Sequence, residues 1–334
     1  MKIATYNVEW FSNLFDNDGN LFDDDRWSGR RDVTRAEQTA AVGAVFQGMD
    51  ADGVMVVEGP DSHARRDGVK ALEGFAKRFG LRACKAIIGF INETQQEILF
   101  LYDPDVLRAG HDPLTIGAPR FDETIDMDLD IDAKPDPVRW SKPPLELEVE
   151  HIASGKVFRL IGVHAKSKAP HGARNEAEVM QISIANRRKQ LAQCIWLRKR
   201  VEGHLKANDQ LIVMGDFNDG PGLDEYEKLF GRSGVEIVLG EGDTQPLHDP
   251  HARLALSQRI GATPVTARFY LRREGRTLSA LLDYIMVSED VRAMDAKWTI
   301  LHPFDHPQCF EDKPMCSALL TASDHYPVVL TIRV

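Results

Sequence analysis

The stretch from Leu211 to Pro221 reads LIVMGDFNDGP, and the predicted fold is built around it. Its first four residues are apolar and predict a buried strand, after which Gly215 lets the chain turn. Side chains two positions apart in extended chain share a face, so Asp216 and Asn218 are expected to point into one pocket. Taken alone, the stretch also fits an ordinary turn stabilised by Asx hydrogen bonds.

Similar polar residues stand at the ends of other predicted strands. Asn7 ends the alternating segment Lys2 to Val8, although asparagine is a poor strand former. The other residues of this kind are Glu58 after the run GVMVV, His164 after the strand that ends at Val163, and Asp324 with His325 before the terminal strand. Because several strand ends repeat the pattern, a shared site is favoured over unrelated turns.

Asp283 differs because it lies inside a strand, LLDYIMV, whose two faces are both apolar. A carboxylate buried there needs a partner, usually a histidine, a cation or several hydrogen-bond donors. Together with the strand-end residues it completes a set of hard oxygen ligands, amides and two histidines, without a nucleophilic serine or cysteine motif. This set suits a Mg²⁺ or Mn²⁺ site that acts on phosphate esters.

The overall charge limits the class of partner. The chain has 334 residues and a formal net charge of −10, which disfavours a protein that binds long nucleic acid mainly by neutralising phosphates. A phosphate-directed site then needs metal ions or a local basic cluster. Lys166, Lys168 and Arg174 follow His164 and form such a cluster, which we expect to hold a substrate phosphate. The alternative is a lysine-rich surface loop.

The sequence indicates a cytoplasmic location. No apolar run approaches the length of a membrane-spanning helix, and the first residues, MKIATYNVEWF, predict a strand rather than a leader. Four scattered cysteines do not make a disulfide framework, so we expect a reducing compartment. The sequence gives no indication of an oligomeric state.

Three segments have more than one interpretation. The polar loop from Asp16 to Asp32 carries Trp27 and three arginines, and we expect solvated surface, with a substrate-contacting flap as the alternative. The segment Phe121 to Pro137 is rich in aspartate but lacks the glycine and terminal glutamate of an EF-hand, which favours a solvated loop over a calcium site. The histidines and cysteines from His302 to Cys316 do not have the spacing of a zinc site.

In chain order, the segments TYNVEW, VVEGP, VHAKS, GDFND, LLDYIMVS and SDHYPV resemble the endonuclease/exonuclease/phosphatase superfamily. This group includes pancreatic-type deoxyribonuclease, abasic-site endonucleases, inositol-phosphate 5-phosphatases and neutral sphingomyelinases. The resemblance spans nearly the whole chain and implies a single catalytic domain over residues 1–334. It also implies an α/β fold, a four-layered α/β sandwich with two central mixed β-sheets flanked by helices, and an active site at one rim.

The resemblance further implies a role for each matching residue. Glu58 resembles a direct ligand of Mg²⁺ or Mn²⁺, Asn7 a supporting ligand and Asp324 a further ligand. The metal and an imidazolium would neutralise charge on the phosphorane-like transition state while a positioned water attacks in line.

The implied catalytic residues complete this scheme. Asp216 matches the residue that orients or deprotonates the attacking water, and Asn218 its neighbour that contacts the phosphate. His325 resembles the histidine at the scissile phosphate, with Asp283 as its orienting carboxylate. His164 matches the second histidine of the deoxyribonuclease-like and sphingomyelinase-like branches.

Two departures from the family pattern stand out. In deoxyribonuclease-like members a glutamate of the hairpin strand orients the second histidine, and here Gln96 and Glu97 compete for that position. Neighbours in a strand face opposite ways, so one residue decides whether an acid lies behind His164. VVEGP also replaces the more usual Gln-Glu pair before the metal ligand, although the glutamate itself remains.

We therefore expect a Mg²⁺- or Mn²⁺-dependent phosphodiester hydrolase, a nuclease acting on nucleic acid. The alternative within the same chemistry is a phosphatase or phosphodiesterase for a small phosphorylated metabolite or lipid headgroup, which an acidic surface tolerates better than DNA. A catalytically inactive binding module is a further alternative, disfavoured because every expected catalytic position is filled.

Overall fold

The computed structural model describes residues 1–92, 94, 96–128, 135–170, 172–220, 231–240, 242, 245–257, 263–271 and 275–334. Within these residues the strands are β1 (Lys2–Asn7), β2 (Gly53–Gly59), β3 (Lys85–Ile88), β4 (Glu97–Tyr102), β5 (Leu107–His111), β6 (Ile125–Met127), β7 (Asp136–Val138), β8 (Leu145–His151), β9 (Lys156–His164), β10 (Leu211–Asp216), β11 (Ala267–Leu271), β12 (Arg276–Ala280), β13 (Asp283–Val287), β14 (Lys297–Ile300) and β15 (Val328–Thr331). The helices are α1 (Arg35–Met49), α2 (Gly68–Arg78), α3 (Glu176–Ala207), α4 (Gly234–Leu239), α5 (Pro250–Leu256), α6 (Glu289–Arg292), α7 (Pro307–Glu311) and α8 (Lys313–Ala322), with a 3₁₀ turn at Phe11–Leu14.

Most strands lie in two mixed sheets. The first sheet has the order β14-β15-β1-β2-β4-β3, and the second has the order β13-β10-β9-β8-β5. In the part of the chain that the structure describes, each sheet contains one parallel pair, β1 with β2 and β9 with β10. Parallel neighbours end at the same edge of a sheet, so each sheet brings two strand ends together.

Apolar side chains fill the space between the two sheets. Alternate strand residues supply this core, among them Ile3 and Met55 of the first sheet and Leu160, Ile212 and Ile285 of the second. Helices α1, α2 and α8 pack on the outer face of the first sheet, and α3, α4 and α5 pack on the outer face of the second. The predicted fold class, with two mixed sheets flanked by helices in four layers, is confirmed.

The same alternation carries polar residues to the edge of this core. Ile212 faces the opposite sheet, and two steps along the same face of β10 lead to Asp216. In β1 the inward positions lead from Ile3 to Asn7, and in β9 they lead to His164. Because strand side chains alternate with a period of two, all three polar side chains lie between the sheets.

Helix boundaries agree closely with the sequence signals. Thr34 and Glu37 have the sequence spacing of a capping box, which predicts a helix start at this point. The box forms before α1, where Glu37 N donates to Thr34 Oγ1 at 3.3 Å and Thr34 N donates to Glu37 Oε2 at 2.8 Å. The sequence from about Glu176 to Leu205 predicts one long helix, and the structure has α3 at Glu176–Ala207. Among the described helices, none has the length and apolar character needed to cross a membrane.

Two segments differ from expectation. The sequence from Leu278 to Val287 predicts one continuous strand, but the structure divides it into β12 and β13, which belong to different sheets. The division lies at Leu281 and Leu282, where Leu282 O accepts a hydrogen bond from Phe217 N at 2.9 Å. The aspartate-rich segment, expected to be a solvated loop, contains the paired strands β6 and β7, while residues 129–134 between them lie outside the described residues.

A buried ion pair joins α3 to the second sheet. The side chain of Arg200 is fully buried and pairs with Glu146 of β8. Its guanidinium also donates, at 2.7 to 3.0 Å, to the carbonyl oxygens of Ile116, Ala118 and Pro119. A buried charge is stable only when partners of this kind replace its hydration.

We expect Arg200→Met to lower the free energy of unfolding by about 3–5 kcal/mol, because it leaves Glu146 buried without its charged partner. Urea unfolding monitored by circular dichroism measures the change in the free energy of unfolding. Arg108→Met is the matched control, since Arg108 pairs with Glu150 of the same strand but is 70% exposed. Equal losses in the two variants would contradict the structural role of Arg200.

Candidate active site

Asp216 ends β10, and the backbone before it requires glycine. Gly215 has a φ of 137°, and a Cβ placed on it would lie 2.0 Å from Val163 O of the adjacent strand. The absence of a side chain therefore lets β10 and β9 run close together to their ends. Asp216 lies in register with His164, so the two side chains leave neighbouring strands at the same level.

Two asparagines hold the carboxylate of Asp216. Asn7 Nδ2, from the first sheet, donates to Asp216 Oδ2 at 2.9 Å. Asn218 donates from its backbone N to Oδ1 at 2.7 Å and from Nδ2 to Oδ2 at 3.1 Å. Asn218 has a φ of 50°, in the left-handed region that asparagine tolerates better than most residues. The carboxylate is thus fixed from both sheets.

Gln190 of α3 fixes the loops that follow β9 and β10. Its Nε2 lies within 3.2 Å of the carbonyl oxygens of Lys166, Phe217 and Asn218. Asn218 Nδ2 also lies 3.2 Å from Ala165 O. These contacts hold the two loops to each other and to the helix, so the position of Asn218 does not depend on the loop alone.

His325 and Asp283 form a buried pair at the same edge. His325 Nδ1 lies 2.8 Å from Asp283 Oδ2. Ser323 Oγ donates to Asn7 O at 2.8 Å and accepts from His325 N at 3.1 Å, which ties this segment to β1. Asp283, which was expected inside a strand, is the first residue of β13, and the buried carboxylate has a histidine as its partner.

Neighbouring charges decide the protonation of this pair. Burial opposes a charged ring, but the carboxylates of Asp283, Asp216 and Asp324 outweigh it and raise the pKa of His325 well above 6.5. His325 is therefore an imidazolium at neutral pH, with Asp324 Oδ1 at 3.8 Å from its Nε2. Burial also raises the pKa of Asp216 to about 7, against the opposing charge of His325.

Glu58 lies at an irregular end of β2. The register between β2 and β4 shifts between Val56 and Gly59, and Glu58 has a φ of 59°. Such a bulge re-aims a side chain out of the regular alternation. Trp10 N donates to Glu58 Oε2 at 3.3 Å, and burial raises the pKa of Glu58.

His164 faces both carboxylates. Its Nε2 lies 3.9 Å from Glu58 Oε1, 3.8 Å from Asp216 Oδ2 and 3.1 Å from Lys142 Nζ. Its Nδ1 is buried and makes no hydrogen bond with any described residue. Burial, and then the charges of Lys142 and His325, lower the pKa of His164 well below 6.5, so the ring is neutral.

The faces of β4 decide between Gln96 and Glu97. Glu97 shares a face with Leu99 and Leu101, which pack on the outer side of the first sheet. Its carboxylate accepts from Asn92 Nδ2 at 2.6 Å. Glu97 therefore points away from the space between the sheets. Gln96, the neighbouring residue of opposite parity, carries an amide and not a carboxylate. This strand places no acid behind the second histidine.

The three predicted phosphate contacts take different positions. Lys168 Nζ donates to the buried Asp219 at 2.7 Å, and the exposed Arg174 pairs with Glu178 at 3.0 Å. Lys166 is half-buried, and burial lowers its pKa. Two of the three basic residues are thus paired with acids of the same chain.

The site residues that meet at this edge form a cluster of Asn7, Glu58, His164, Asp216, Asp283, Asp324 and His325. Two further charged residues lie beside them and were not predicted from the sequence. Glu9 pairs with Arg30, and burial, with the charge of Asp324, raises the pKa of Glu9 to about 7. Its place two residues after Asn7 in TYNVEW was an available signal. Lys142 lies in SKPP before β8, where no periodicity indicates which side chain turns inward.

Buried oxygens of the cluster fit a divalent cation. Asp216, Asp283 and His325 bring potential ligand atoms within 4.8 Å of one another. His325, however, is protonated and offers no free nitrogen. Asn7 Oδ1 is buried without a partner among the described residues, and burial raises the pKa values of Glu58 and Asp216. An unpaired carbonyl oxygen and excess negative charge suit Mg²⁺ or Mn²⁺.

The profile of the Endonuclease/Exonuclease/phosphatase family matches residues 4–325. An endonuclease/exonuclease/phosphatase family protein from Bacteroides thetaiotaomicron is 14% identical with a TM-score of 0.51, covering 99% of this chain and 96% of that chain. Mannosyl-6-phosphatase Bt3783 from the same species is 13% identical with a TM-score of 0.50 and covers 100% of both chains.

Truncated TDP2 from Caenorhabditis elegans is also 13% identical with a TM-score of 0.50, covering 100% of this chain and 97% of that chain. At these identities the three structures show a shared fold. No curated protein matches the chain.

We expect Asp283→Asn to lower the pKa of His325, because burial then acts against the charged ring with one carboxylate fewer. In the wild type the folded pKa lies above 6.5, so the pair's contribution to stability is complete below that pH and is lost as the pH rises through the folded pKa. ¹⁵N NMR titration of the ring measures the shift.

The matched control for this titration is Asp209→Asn, which removes an acid 2.8 Å from His204 and should leave His325 unchanged. A His325 ring that titrates identically in Asp283→Asn and the wild type would contradict the pairing.

Proposed function

Because the chain belongs to the endonuclease/exonuclease/phosphatase family, we propose that it is a metal-dependent phosphodiester hydrolase, and specifically a nuclease. The hydrolases of this family act on phosphoric esters. One observation carries the proposal. The side chain of Asn7 donates a hydrogen bond to Asp216, and its carbonyl accepts one from Ser323, which in turn accepts one from His325 N. These bonds hold a carboxylate and the imidazolium of His325 at one edge. We propose that residues 1–334 form a single catalytic domain around this edge.

Asp216 is the proposed group that orients or deprotonates the attacking water. Burial raises its pKa to about 7, which suits a group that accepts a proton near neutral pH. The hydrogen bonds from Asn7 and Asn218 fix the carboxylate, so a bound water would have a defined direction of attack. Asn218 is the proposed neighbour that contacts the phosphate.

His325 is the proposed partner of the scissile phosphate. As an imidazolium it can donate from Nε2 to a phosphate oxygen and offset the charge that grows in the transition state. Asp283 holds Nδ1 and thereby fixes the ring. His164, which is neutral, is the proposed second histidine of the site.

Glu58, Asn7 and Asp324 are the proposed ligands of a Mg²⁺ or Mn²⁺ ion. When bound, the ion would supply Lewis-acid stabilisation of charge on the phosphate. The unpartnered Asn7 Oδ1 among the described residues and the raised pKa of buried Glu58 support this choice. The ligand set combines hard oxygens from both ends of the chain.

The ribbon of β11 and β12 supports a polyanionic substrate. Arg268 N donates to Asp324 O at 2.7 Å, so the ribbon begins beside the proposed metal ligand. The ribbon also carries Arg276 and the half-exposed Tyr270, over whose ring the guanidinium of Arg31 lies at 5.5 Å. Positive charge and an exposed ring beside the site suit a nucleic-acid strand.

A second candidate is a phosphatase or phosphodiesterase for a small phosphorylated metabolite or lipid headgroup. Lys168 and Arg174 pair with Asp219 and Glu178, which leaves less positive surface for a long polyanion. Of the three basic residues proposed to hold a substrate phosphate, Lys166 fits this role best because no carboxylate within ion-pair distance of it is described.

We expect the protein to hydrolyse bis(p-nitrophenyl) phosphate with Mg²⁺ or Mn²⁺ and to lose this activity in EDTA. Asp216→Ala and His325→Ala should each lower kcat by about 10²- to 10⁴-fold, because each removes a group that acts in the transition state. The absorbance of released p-nitrophenolate measures the rate, with the monoester assayed in parallel.

The pair of His204 and Asp209 offers a matched control, since it has the same 2.8 Å contact at the opposite end of β10. Asp209→Ala should retain the wild-type kcat. Wild-type rates in Asp216→Ala or His325→Ala would refute the residue assignments, and cleavage of the monoester alone would favour a phosphatase.

Salt dependence separates the two substrate classes. We expect the KM for single-stranded or plasmid DNA to rise by orders of magnitude between about 50 and 200 mM salt, because binding to a polyanion releases counterions. The KM for bis(p-nitrophenyl) phosphate should change little over the same range. A KM for DNA that does not respond to salt would favour the small substrate.

A further inference from the structure

Lys142 reaches the cluster from the segment before β8. Its side chain is half-buried, and its Nζ lies 3.1 Å from His164 Nε2. The same nitrogen of His164 lies 3.9 Å from Glu58 Oε1 and 3.8 Å from Asp216 Oδ2. The ammonium group therefore shares a neighbour, His164 Nε2, with the carboxylates proposed to bind the metal and to activate the water, and the charges of both carboxylates act on it.

The direction of the hydrogen bond to His164 follows from the chemistry of the two groups. An ammonium group has donors and no acceptor, so Lys142 donates and His164 Nε2 accepts. The neutral ring then carries its proton on Nδ1, which has no partner in the described part of the chain. His164 therefore acts as an acceptor that holds the ammonium group in place, and it has no proton on the side that faces the carboxylates.

Lys142 carries a positive charge at neutral pH although it is partly buried. Burial lowers its pKa to about 8, while the negative charges of Glu58 and Asp216 act in the opposite direction. The group is therefore still mostly protonated at neutral pH, although it has lost much of its hydration. A desolvated charge of this kind interacts strongly with any other charge that enters the site.

We propose that Lys142 is a further catalytic residue of this site, and that its ammonium group supplies a fixed positive charge to the scissile phosphate in the place that a second divalent cation would otherwise take. This inference rests on the proposed phosphodiester hydrolysis. It assigns to His164 the role of a positioning residue, which acts on the phosphate through Lys142. Together with His325, the site then presents two organic cations and one metal ion.

Two substitutions of Lys142 test the role of its positive charge in catalysis. Lys142→Met keeps the length of the side chain and removes its charge, whereas Lys142→Arg keeps the charge. Loss of one preorganised electrostatic group lowers kcat by about 10²- to 10³-fold, so Lys142→Met should fall in that range with a smaller change in KM. Lys142→Arg should stay within about tenfold of the wild type.

Metal binding gives a second measurement that does not depend on turnover. Titration calorimetry with Mn²⁺ should show one bound ion in the wild type and in Lys142→Arg. In Lys142→Met the affinity should rise by at least about tenfold, or a second ion should bind, because a positive charge beside Glu58 and Asp216 has been removed. A residue that serves only to pack the loop would not produce this gain.

The outcomes are separable. Lys85→Met is the control for loss of a lysine, since Lys85 lies on the edge strand β3 and should keep wild-type kinetics and Mn²⁺ affinity. Thermal unfolding of every variant checks the fold. A Lys142→Met variant with wild-type kcat, or with unchanged Mn²⁺ affinity and stoichiometry, would overturn the inference. Failure of the wild type to hydrolyse the diester would instead overturn the proposed function.

Discussion

The hydrogen bond from Asn7 to Asp216 is the contact on which the site depends, because it crosses from one sheet to the other. Each sheet delivers polar side chains to its edge, and the apolar core between the sheets sets the distance at which they meet. A shift of one residue in β1 or β10 would turn Asn7 or Asp216 to the outer face, where no such contact exists. The site can therefore form only when β1 and β10 have the observed register.

The acids gathered at this edge require accompanying cations. Buried carboxylates cost free energy unless opposite charges or donors replace their hydration. His325 lies against Asp283, and Arg30 lies against Glu9. The pKa of Glu58 is nevertheless raised, which indicates that the protein's own cations do not fully balance its burial. This incompletely compensated burial of a carboxylate is the physical reason for proposing a divalent ion.

Much of the arrangement could be predicted because it follows from local patterns. The alternating segment Lys2 to Val8 led to Asn7, and the continuous apolar run from Leu211 led to Asp216, each at a strand end. The spacing of Thr34 and Glu37 is typical of a capping box and led to α1. The rest depends on tertiary placement. Lys142 enters the cluster from a proline-flanked segment without periodicity, and the face of Glu97 depends on how β4 packs on the helices. Neither could be obtained from composition or spacing.

The cluster joins residues that are far apart in the chain. Ser323 and Asn7, which share a hydrogen bond, are 316 residues apart. β15 and β1 are similarly distant in the chain, since Thr5 pairs with Val328 and Lys2 pairs with Thr331. Contacts of such high sequence separation form late, because the entropy of closing a long loop is lost before the contact can stabilise the chain. During synthesis β1 therefore has no β15 to pair with until the end of translation, and the edge that holds Asn7 and His325 is assembled only after β15 has been synthesised and has docked.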